Sequence, residues 1–319
     1  MKALITGGAG FIGSHLADEL LSRGHQVAIL DDLSTGRHAN VAHLLDRPDV
    51  EFVLGSILNA DVLDDVVGRA DVVFHLAAAV GVELIVERPV ESLRTNVMGS
   101  ELVIEKCHKY TRPVLVTSTS EIYGKNDSDQ LSEDDDRVLG SPLKSRWSYS
   151  EAKAIEEILA YTYWRQKGLP AVITRLFNTV GPRQTGYYGM VIPRFVNQAL
   201  RGEPITVYGD GKQTRCFCHV SDIVSPLADL ITHEDAYGQV LNLGGVEEIS
   251  IEDLAHRVIE LTGSESTVRF VSYEDAYEEG FEDMPRRVPD VTRARDLIGF
   301  SPQHDLDAIL HSVIAEQRE

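Results

Sequence analysis

Apolar residues along this chain fall into two patterns. Short, mostly apolar runs at 2–6, 26–30, 50–54, 72–76, 114–117 and 171–176 read as strands buried on both faces. Between them, apolar positions recur every three or four residues and predict helices over about 11–23, 60–69, 90–110 and 149–167. Strand–helix alternation predicts a parallel sheet wrapped by helices, an α/β doubly wound fold with right-handed crossovers. The pattern changes past Asn178, where Gly181-Pro182, Gly202-Glu203-Pro204 and Gly209-Asp210-Gly211 interrupt it. Helices return near 189–201, 221–232, 250–262 and 305–317. Two domains are expected: residues 1–178 on the parallel sheet, and a smaller mixed α/β domain over 179–319, the two interdigitating around 220–260. The second would lie over the carboxyl ends of the strands, where such folds bind ligands. No internal repeat or low-complexity linker is visible.

The first strand runs into Gly7-Gly8-Ala9-Gly10-Phe11-Ile12-Gly13, and a helical stretch closed by Gly24 follows. Gly7 permits a tight turn, Gly10 lets the backbone approach a pyrophosphate, and Gly13 lets the helix pack on the strand. Phe11 and Ile12 open that helix, whose unpaired N–H groups and positive dipole end face the phosphates. The bland alternative is a glycine turn with no ligand. Asp31 and Asp32 end the second strand about twenty residues later, where a carboxylate accepts from the adenosine ribose. It would also repel a 2′-phosphate, which favours NAD over NADP; a turn cap is the alternative. Ser56 and Ile57 follow the third strand, beside the expected adenine. Leu76, Ala77 and Ala78 close the fourth strand with residues small enough for close approach to the cofactor, while His75 reads as a structural hydrogen-bonder.

Tyr149 and Lys153 are spaced i, i+4 and share one helix face. A free phenol has a pKa of about 10 and is a poor base at neutral pH. A nearby ammonium and a positively charged nicotinamide favour the phenolate, as general base catalysis requires. Both residues are also placed to hold the cofactor, together with Thr117 at the end of the fifth strand. Thr119 is positioned to share the proton with Tyr149, and Ser120 and Glu121 to reach a substrate. A polar strand end making turn bonds is the alternative for this stretch.

Composition narrows the partners. The chain has 319 residues, 43% hydrophobic and 25% charged, enough for a large core. No apolar run approaches the ~18 residues of a membrane span. The chain opens directly on a strand, without a signal-peptide pattern, so a cytoplasmic protein is expected. Cys107, Cys216 and Cys218 are too few and too badly spaced for a disulfide framework or a metal site. Thirty basic against fifty acidic residues give a net charge of −20, which argues against nucleic acid or an anionic membrane as partner.

Taken together, the sequence resembles the extended short-chain dehydrogenase/reductase family, the NAD-dependent sugar-nucleotide epimerases, dehydratases and decarboxylases. The likeness rests on the glycine turn, Asp31, His75-Leu76-Ala77-Ala78, Asn96, Thr119, Tyr149 with Lys153, Leu176-Phe177-Asn178 with Gly181-Pro182-Arg183, and Val207-Tyr208-Gly209-Asp210-Gly211 through Arg215. It implies a Rossmann-type first domain with bound NAD, Asn96 among its contacts, and a UDP-sugar held by the second domain. It also implies that Asn178 and Arg215 contact the diphosphate or sugar, and that Thr206 and Tyr208 lie by the nucleotide base. Arg194 and Arg287 are further substrate candidates, with surface ion pairs as the alternative. The predicted helices at 90–110 and 149–167 resemble the pair that forms a homodimer bundle in this family.

In such enzymes Tyr149 would take the C4 hydroxyl proton as hydride leaves C4, giving a 4-keto sugar. Thr119-Ser120-Glu121 resembles the decarboxylases and dehydratases, and Lys144-Ser145-Arg146-Trp147-Ser148-Tyr149 resembles the UDP-glucuronate decarboxylases. Arg215 is a candidate acid or carboxylate contact, and Arg183 a second clamp for a uronate. The reading is UDP-glucuronate decarboxylation. Alternatives are 4-epimerisation of UDP-glucuronate or UDP-glucose, then 4,6-dehydration, and, from a different class, a non-catalytic dinucleotide sensor. Cys218-His219 and Gly186-Tyr187-Tyr188-Gly189 depart from the family pattern.

Overall fold

The computed structural model describes residues 1–80, 88–144, 147–186, 190–276 and 284–318. Ser145, Arg146 and residues 187–189 of the stretches singled out above lie outside these. The first part of the chain supplies β1 (Lys2–Thr6), α1 (Phe11–Ser22), β2 (Gln26–Asp31), β3 (Val50–Leu54), α2 (Ala60–Arg69) and β4 (Val72–His75). It continues with α3 (Pro89–Leu93), α4 (Ser100–Tyr110), β5 (Val114–Thr119), α5 (Ser148–Lys167) and β6 (Ala171–Leu176). Then come β7 (Thr179–Val180), α6 (Val191–Leu200), β8 (Ile205–Tyr208), β9 (Thr214–Cys216), β10 (Cys218–His219), α7 (Val220–Leu230) and β11 (Val240–Leu243). Last are β12 (Glu248–Ser250), α8 (Ile251–Thr262), β13 (Val268–Val271), α9 (Thr292–Ile298) and α10 (Leu306–Arg318), with a single helical turn at Tyr273–Ala276.

Seven strands form one parallel sheet in the order β11-β6-β5-β4-β1-β2-β3. The chain leaves β1 for β2 and β3 on one side, then crosses to β4, β5 and β6 on the other. The carboxyl ends of β1 and β4 therefore flank a topological switch point, the crevice where such sheets bind ligands. Successive residues of β1 serve opposite faces. Ala3 and Ile5 pack with Leu16 and Leu20 of α1 and Leu227 of α7, while Leu4 packs with Leu63 of α2, Val103 of α4 and Ala160 of α5. A separate core in the second half joins α6, α8 and α10 around Ile205 and Val207 of β8. Three two-stranded pieces accompany it: β7 with β10, β9 with β12 and β8 with β13. Residues 220–243 pack against the large sheet although they follow Asn178 in the chain.

Two local features differ from the sequence pattern. The helix predicted over 90–110 is divided, because a widened π-type turn (Arg94–Gly99) separates α3 from α4. Asn96 in that turn accepts from Ala79 N at 2.7 Å and donates to Ala79 O at 3.1 Å, and a Cβ on Gly99 would sit 2.4 Å from Ile57 Cδ1. Strand β11 is the second, because the apolar pattern does not predict it. Buried Asn242 interrupts its apolar run, accepting from Tyr123 Oη at 2.7 Å and donating to Leu131 O at 2.8 Å. No described helix is long and apolar enough to cross a membrane.

Candidate active site

A cleft of 590 Å³ opens at the carboxyl ends of β1, β4, β5 and β6 and extends to α6, β8 and β9. That volume is ordinary for a cofactor or small-molecule site. Gly7, Gly10, Phe11, Ile12 and Gly13 form one end of its wall, with Asp31, Asp32 and Ile57 beyond them. Gly7 has φ +73°, and a Cβ there would lie 2.7 Å from Ala77 N; on Gly13 it would lie 2.3 Å from Gly7 O. Positions 7 and 13 therefore admit no side chain, and α1 packs there against bare backbone. Gly10 caps α1 without a side-chain bond, and no acidic residue occupies the first helical turn. This cradle of open N–H groups has the donor chemistry that a dinucleotide pyrophosphate requires.

Asp31 ties the cradle to the neighbouring loop. Its Oδ2 accepts from Ala9 N at 2.9 Å and its Oδ1 from Leu33 N at 2.8 Å. Burial pushes its carboxyl pKa up, against those two bonds. Asp32 accepts from Ser34 N at 3.0 Å in the same loop. Leu76, Ala77, Ala78 and Thr117 continue the wall towards Tyr149 and Lys153. Three expected residues stand behind the wall. Ser56 Oγ faces Leu58 N in its own turn at 3.4 Å, Asn96 braces Ala79 as described, and Thr206 bonds within the second half.

Tyr149 and Lys153 reach the cleft from the first turns of α5, on one face as their spacing requires. Tyr149 is 8% exposed and Lys153 2%. Lys153 Nζ donates to Thr117 O at 2.8 Å and to Glu156 Oε2 at 2.7 Å. The ammonium is thus paired with a buried carboxylate, a partner that sequence reasoning missed although Glu156 shares the face at i+3. Burial first, then the carboxylates of Glu121 and Glu156, raise the phenol's pKa above its usual value, opposite to the effect expected from Lys153 alone. His75 bonds Thr6 Oγ1 at 2.7 Å and Ser100 Oγ at 2.9 Å, and burial holds its pKa down at about 3.

The turn after β5 brings Thr119, Ser120 and Glu121 to the same wall. Thr119 Oγ1 accepts from Glu121 N at 3.2 Å and so fixes that turn. Arg287, 8% exposed, comes from the far end of the chain. Its Nη1 lies 3.4 Å from Ser120 Oγ and 3.5 Å from Glu121 Oε1. It therefore stands directly beside this turn. Arg215 lines the cleft from β9 and donates to Thr214 O at 2.7 Å. Asn178 donates to Cys216 O at 2.8 Å, joining the end of β6 to β9. Arg183 also lines the cleft, but its Nη1 pairs with Asp18 Oδ2 of α1 at 2.8 Å. Arg194 donates to Thr206 O at 2.9 Å and stacks over Tyr208, 4.2 Å from the ring centroid. Arg37, not singled out in the sequence, lines the cofactor end; it follows Ser34-Thr35-Gly36 immediately after β2.

Residues 3–244 match the NAD dependent epimerase/dehydratase family. The chain is 42% identical over all its length, and over 98% of the relative, to a UDP-N-acetyl-alpha-D-glucosaminuronate decarboxylase of Bacillus cytotoxicus. It is 36% identical to UDP-glucuronic acid decarboxylase 1 of Xenopus tropicalis, across 98% of this chain and 71% of that protein. Among solved structures, a UDP-glucuronic acid 4-epimerase from Bacillus cereus, in complex with UDP-glucuronic acid and NAD, superposes with a TM-score of 0.89 at 30% identity. That superposition covers all of this chain and 99% of the other. The glycine cradle, the tyrosine–lysine face and these full-length likenesses agree, and the chain belongs to the NAD-dependent epimerase/dehydratase family of the extended short-chain dehydrogenases/reductases.

Proposed function

We propose that this enzyme decarboxylates a UDP-hexuronate through a 4-keto intermediate. The observation that carries the reading is the Arg287–Glu121 pair beside Tyr149: it sets a buried guanidinium, the natural clamp for a carboxylate, in the reacting part of the cleft. The names of the two decarboxylase relatives support it. Residues 1–178 are read as the NAD-binding part and 179–319 as the sugar-nucleotide part, with 220–243 returned to the first.

NAD would rest on Gly7, Gly10 and Gly13, with Asp31 and Asp32 at its adenosine end and Tyr149 and Lys153 at its nicotinamide end. When bound, NAD would supply the hydride acceptor for C4 and the hydride for the closing reduction. Tyr149 takes the C4 hydroxyl proton as general base, and Thr119 shares a hydrogen bond with the same oxygen. Arg287 and Arg215 hold the uronate carboxylate. The 4-keto sugar is then a β-keto acid, so the C5–C6 electron pair passes into the ring as CO2 leaves, and the enolate takes a proton at C5 from water or an acid in the cleft before C4 is reduced again. Protonated Tyr149 stabilises the enolate oxygen by hydrogen bonding. Asn178, Arg194 and Tyr208 are read as diphosphate and base contacts.

Incubation with UDP-glucuronate and with UDP-N-acetylglucosaminuronate, followed by product mass, tests this. Loss of CO2 from either supports it. The 42% identical relative favours the acetamido sugar as the better substrate. Unchanged mass with an altered C4 proton signal would show an epimerase, and loss of water from a neutral UDP-hexose a dehydratase. The enzyme is further read as a cytoplasmic homodimer. Its cysteines are buried and unpaired, as suits a reducing compartment, and exposed apolar residues gather on α3, the turn after it and α5.

A further inference from the structure

Tyr149, Lys153 and Glu156 follow at i, i+4 and i+7, so α5 presents all three on one face. Glu156 is fully buried. Its Oε2 takes one of the three protons of Lys153 Nζ and Thr117 O takes another, which leaves one for the cleft. On the far side, Glu156 Oε1 stands 3.9 Å from Nε2 of His75, a ring that burial keeps neutral. Burial raises the Glu156 pKa and the ammonium of Lys153 works against that rise, so behind Tyr149 the 2.7 Å contact sets one cation against one carboxylate. The proton transfer described above makes no use of that anion. A carboxylate buried this deeply is a burden on folding unless it serves its partner.

We propose that Glu156 is a positioning residue that fixes Lys153 and cancels its charge, so that Tyr149 gives up its proton only when positively charged, oxidised cofactor is bound. This rests on Tyr149 being the base. A phenol beside a bare ammonium ionises readily, whereas one beside an ion pair gains little from it. The other charges around Tyr149 do not replace the cancelled one. Glu121, on the turn after β5, is negative and faces Arg287. Glu157 on α5 is bound by Arg175 of β6 at 2.8 Å. Arg88 and Glu91 pair with each other at 3.3 Å in solvent, and Arg94 and Glu101, on the segment carrying Ser100, are exposed. The missing positive charge is the nicotinamide's own. Reduction removes it, which would keep the abstracted proton on Tyr149 while the keto sugar is held.

The test is direct titration of the phenol. Protein carrying 13Cζ-labelled tyrosine is titrated by NMR with and without NAD+, and the Tyr149 signal is assigned by its loss in Tyr149→Phe. In the wild type the midpoint falls when NAD+ binds. In Glu156→Gln, which keeps an acceptor for Lys153 but no charge, the cofactor-free midpoint falls by about one pH unit or more. The NAD+-induced shift shrinks, and the acid limb of kcat/KM moves the same way. Equal cofactor-free midpoints in the two proteins would overturn the proposal. If Glu156→Gln does not fold, the wild type decides alone: a phenol already ionised at neutral pH without cofactor overturns it, and a midpoint lowered by NAD+ supports it. The titration uses no substrate, so its failure is distinct from failure of the decarboxylase reading.

Discussion

Arg287 Nη1 and Glu121 Oε1 stand 3.5 Å apart in the cleft, although 166 residues separate them in the chain. Both side chains are largely buried, and Tyr149 shares the wall they form. A guanidinium already facing a carboxylate here can exchange part of that contact for a substrate carboxylate. Arg287→Ala should therefore lower kcat/KM for the uronate by about 10²–10³, since truncating one member of a buried charged pair costs about 2–5 kcal/mol. NAD binding should persist, because the glycine cradle lies at the other end. Arg287→Lys, which keeps the charge but loses the fork, should recover only part of the loss. Steady-state kinetics with calorimetric NAD titration check this, and an unchanged kcat/KM in Arg287→Ala would remove Arg287 from the reaction.

The cradle makes its own prediction. A Cβ on Gly13 would press on Gly7 O at 2.3 Å and on Gly8 Cα at 2.8 Å, both backbone. Gly13→Ala must displace α1 from the turn, at a cost of about 1–3 kcal/mol. NAD affinity should fall at least about tenfold, because the helix N-terminus moves with it. Gly24→Ala is the control. Gly24 has φ +78° with nothing within 4 Å of its Cβ position, so only backbone strain of about 1 kcal/mol is expected and cofactor binding stays. Thermal unfolding and NAD titration of both variants separate the two effects.

Much of this site is legible in the sequence because its parts are local. The glycine turn carries its own spacing, and Tyr149 with Lys153 announces a helix face. Each strand of the first half is a short, mostly apolar run, although Glu51 interrupts β3 and Thr174-Arg175 interrupts β6. What escaped depends on distant contacts. The widened turn at Arg94–Gly99 follows from Asn96 gripping Ala79 and Gly99 meeting Ile57, neither of which changes helical periodicity by much. Strand β11 hides behind Asn242, whose polarity is explained only by Tyr123 and Leu131. Glu156 carries no local signal beyond its i+3 spacing from Lys153. Its burial against Lys153 and His75 depends on how α5 packs on β4 and β5.

His75 should make stability depend on pH. Burial depresses its folded-state pKa to about 3, whereas an unfolded histidine titrates near 6.5. Between those values the unfolded chain binds a proton that the folded one does not. Stability therefore falls as pH drops below about 6.5, by up to about 1.4 kcal/mol per pH unit for this group. His75→Asn removes the titration. It should be less stable than the wild type near neutrality, because Thr6 and Ser100 lose a partner. Its further loss between about pH 7 and pH 5 should nonetheless be smaller by about 2 kcal/mol. Urea unfolding at the two pH values measures this, and equal losses in both proteins would mean that His75 does not carry the effect.

The outer surface of α3, the widened turn after it and α5 should decide the oligomeric state. Val90 is 78% exposed, Ile158 62% and Met98 50%, and Leu93, Ile155 and Tyr161 add to them. Ile155, Ile158 and Tyr161 recur at three-residue spacing along α5, so they lie on neighbouring strips of one surface. Apolar side chains gathered in this way mark a contact surface more often than a solvated one. A second copy of the same helices would bury them symmetrically. Ile158→Glu places a charge in the middle of that surface. Desolvating an unpaired carboxylate at such a contact should outweigh what the remaining side chains supply. The variant should sediment as a monomer at concentrations where the wild type is a dimer, and its far-ultraviolet circular dichroism should be unchanged, since Ile158 supports no internal core. A wild type that already sediments as a monomer would show that these residues face water.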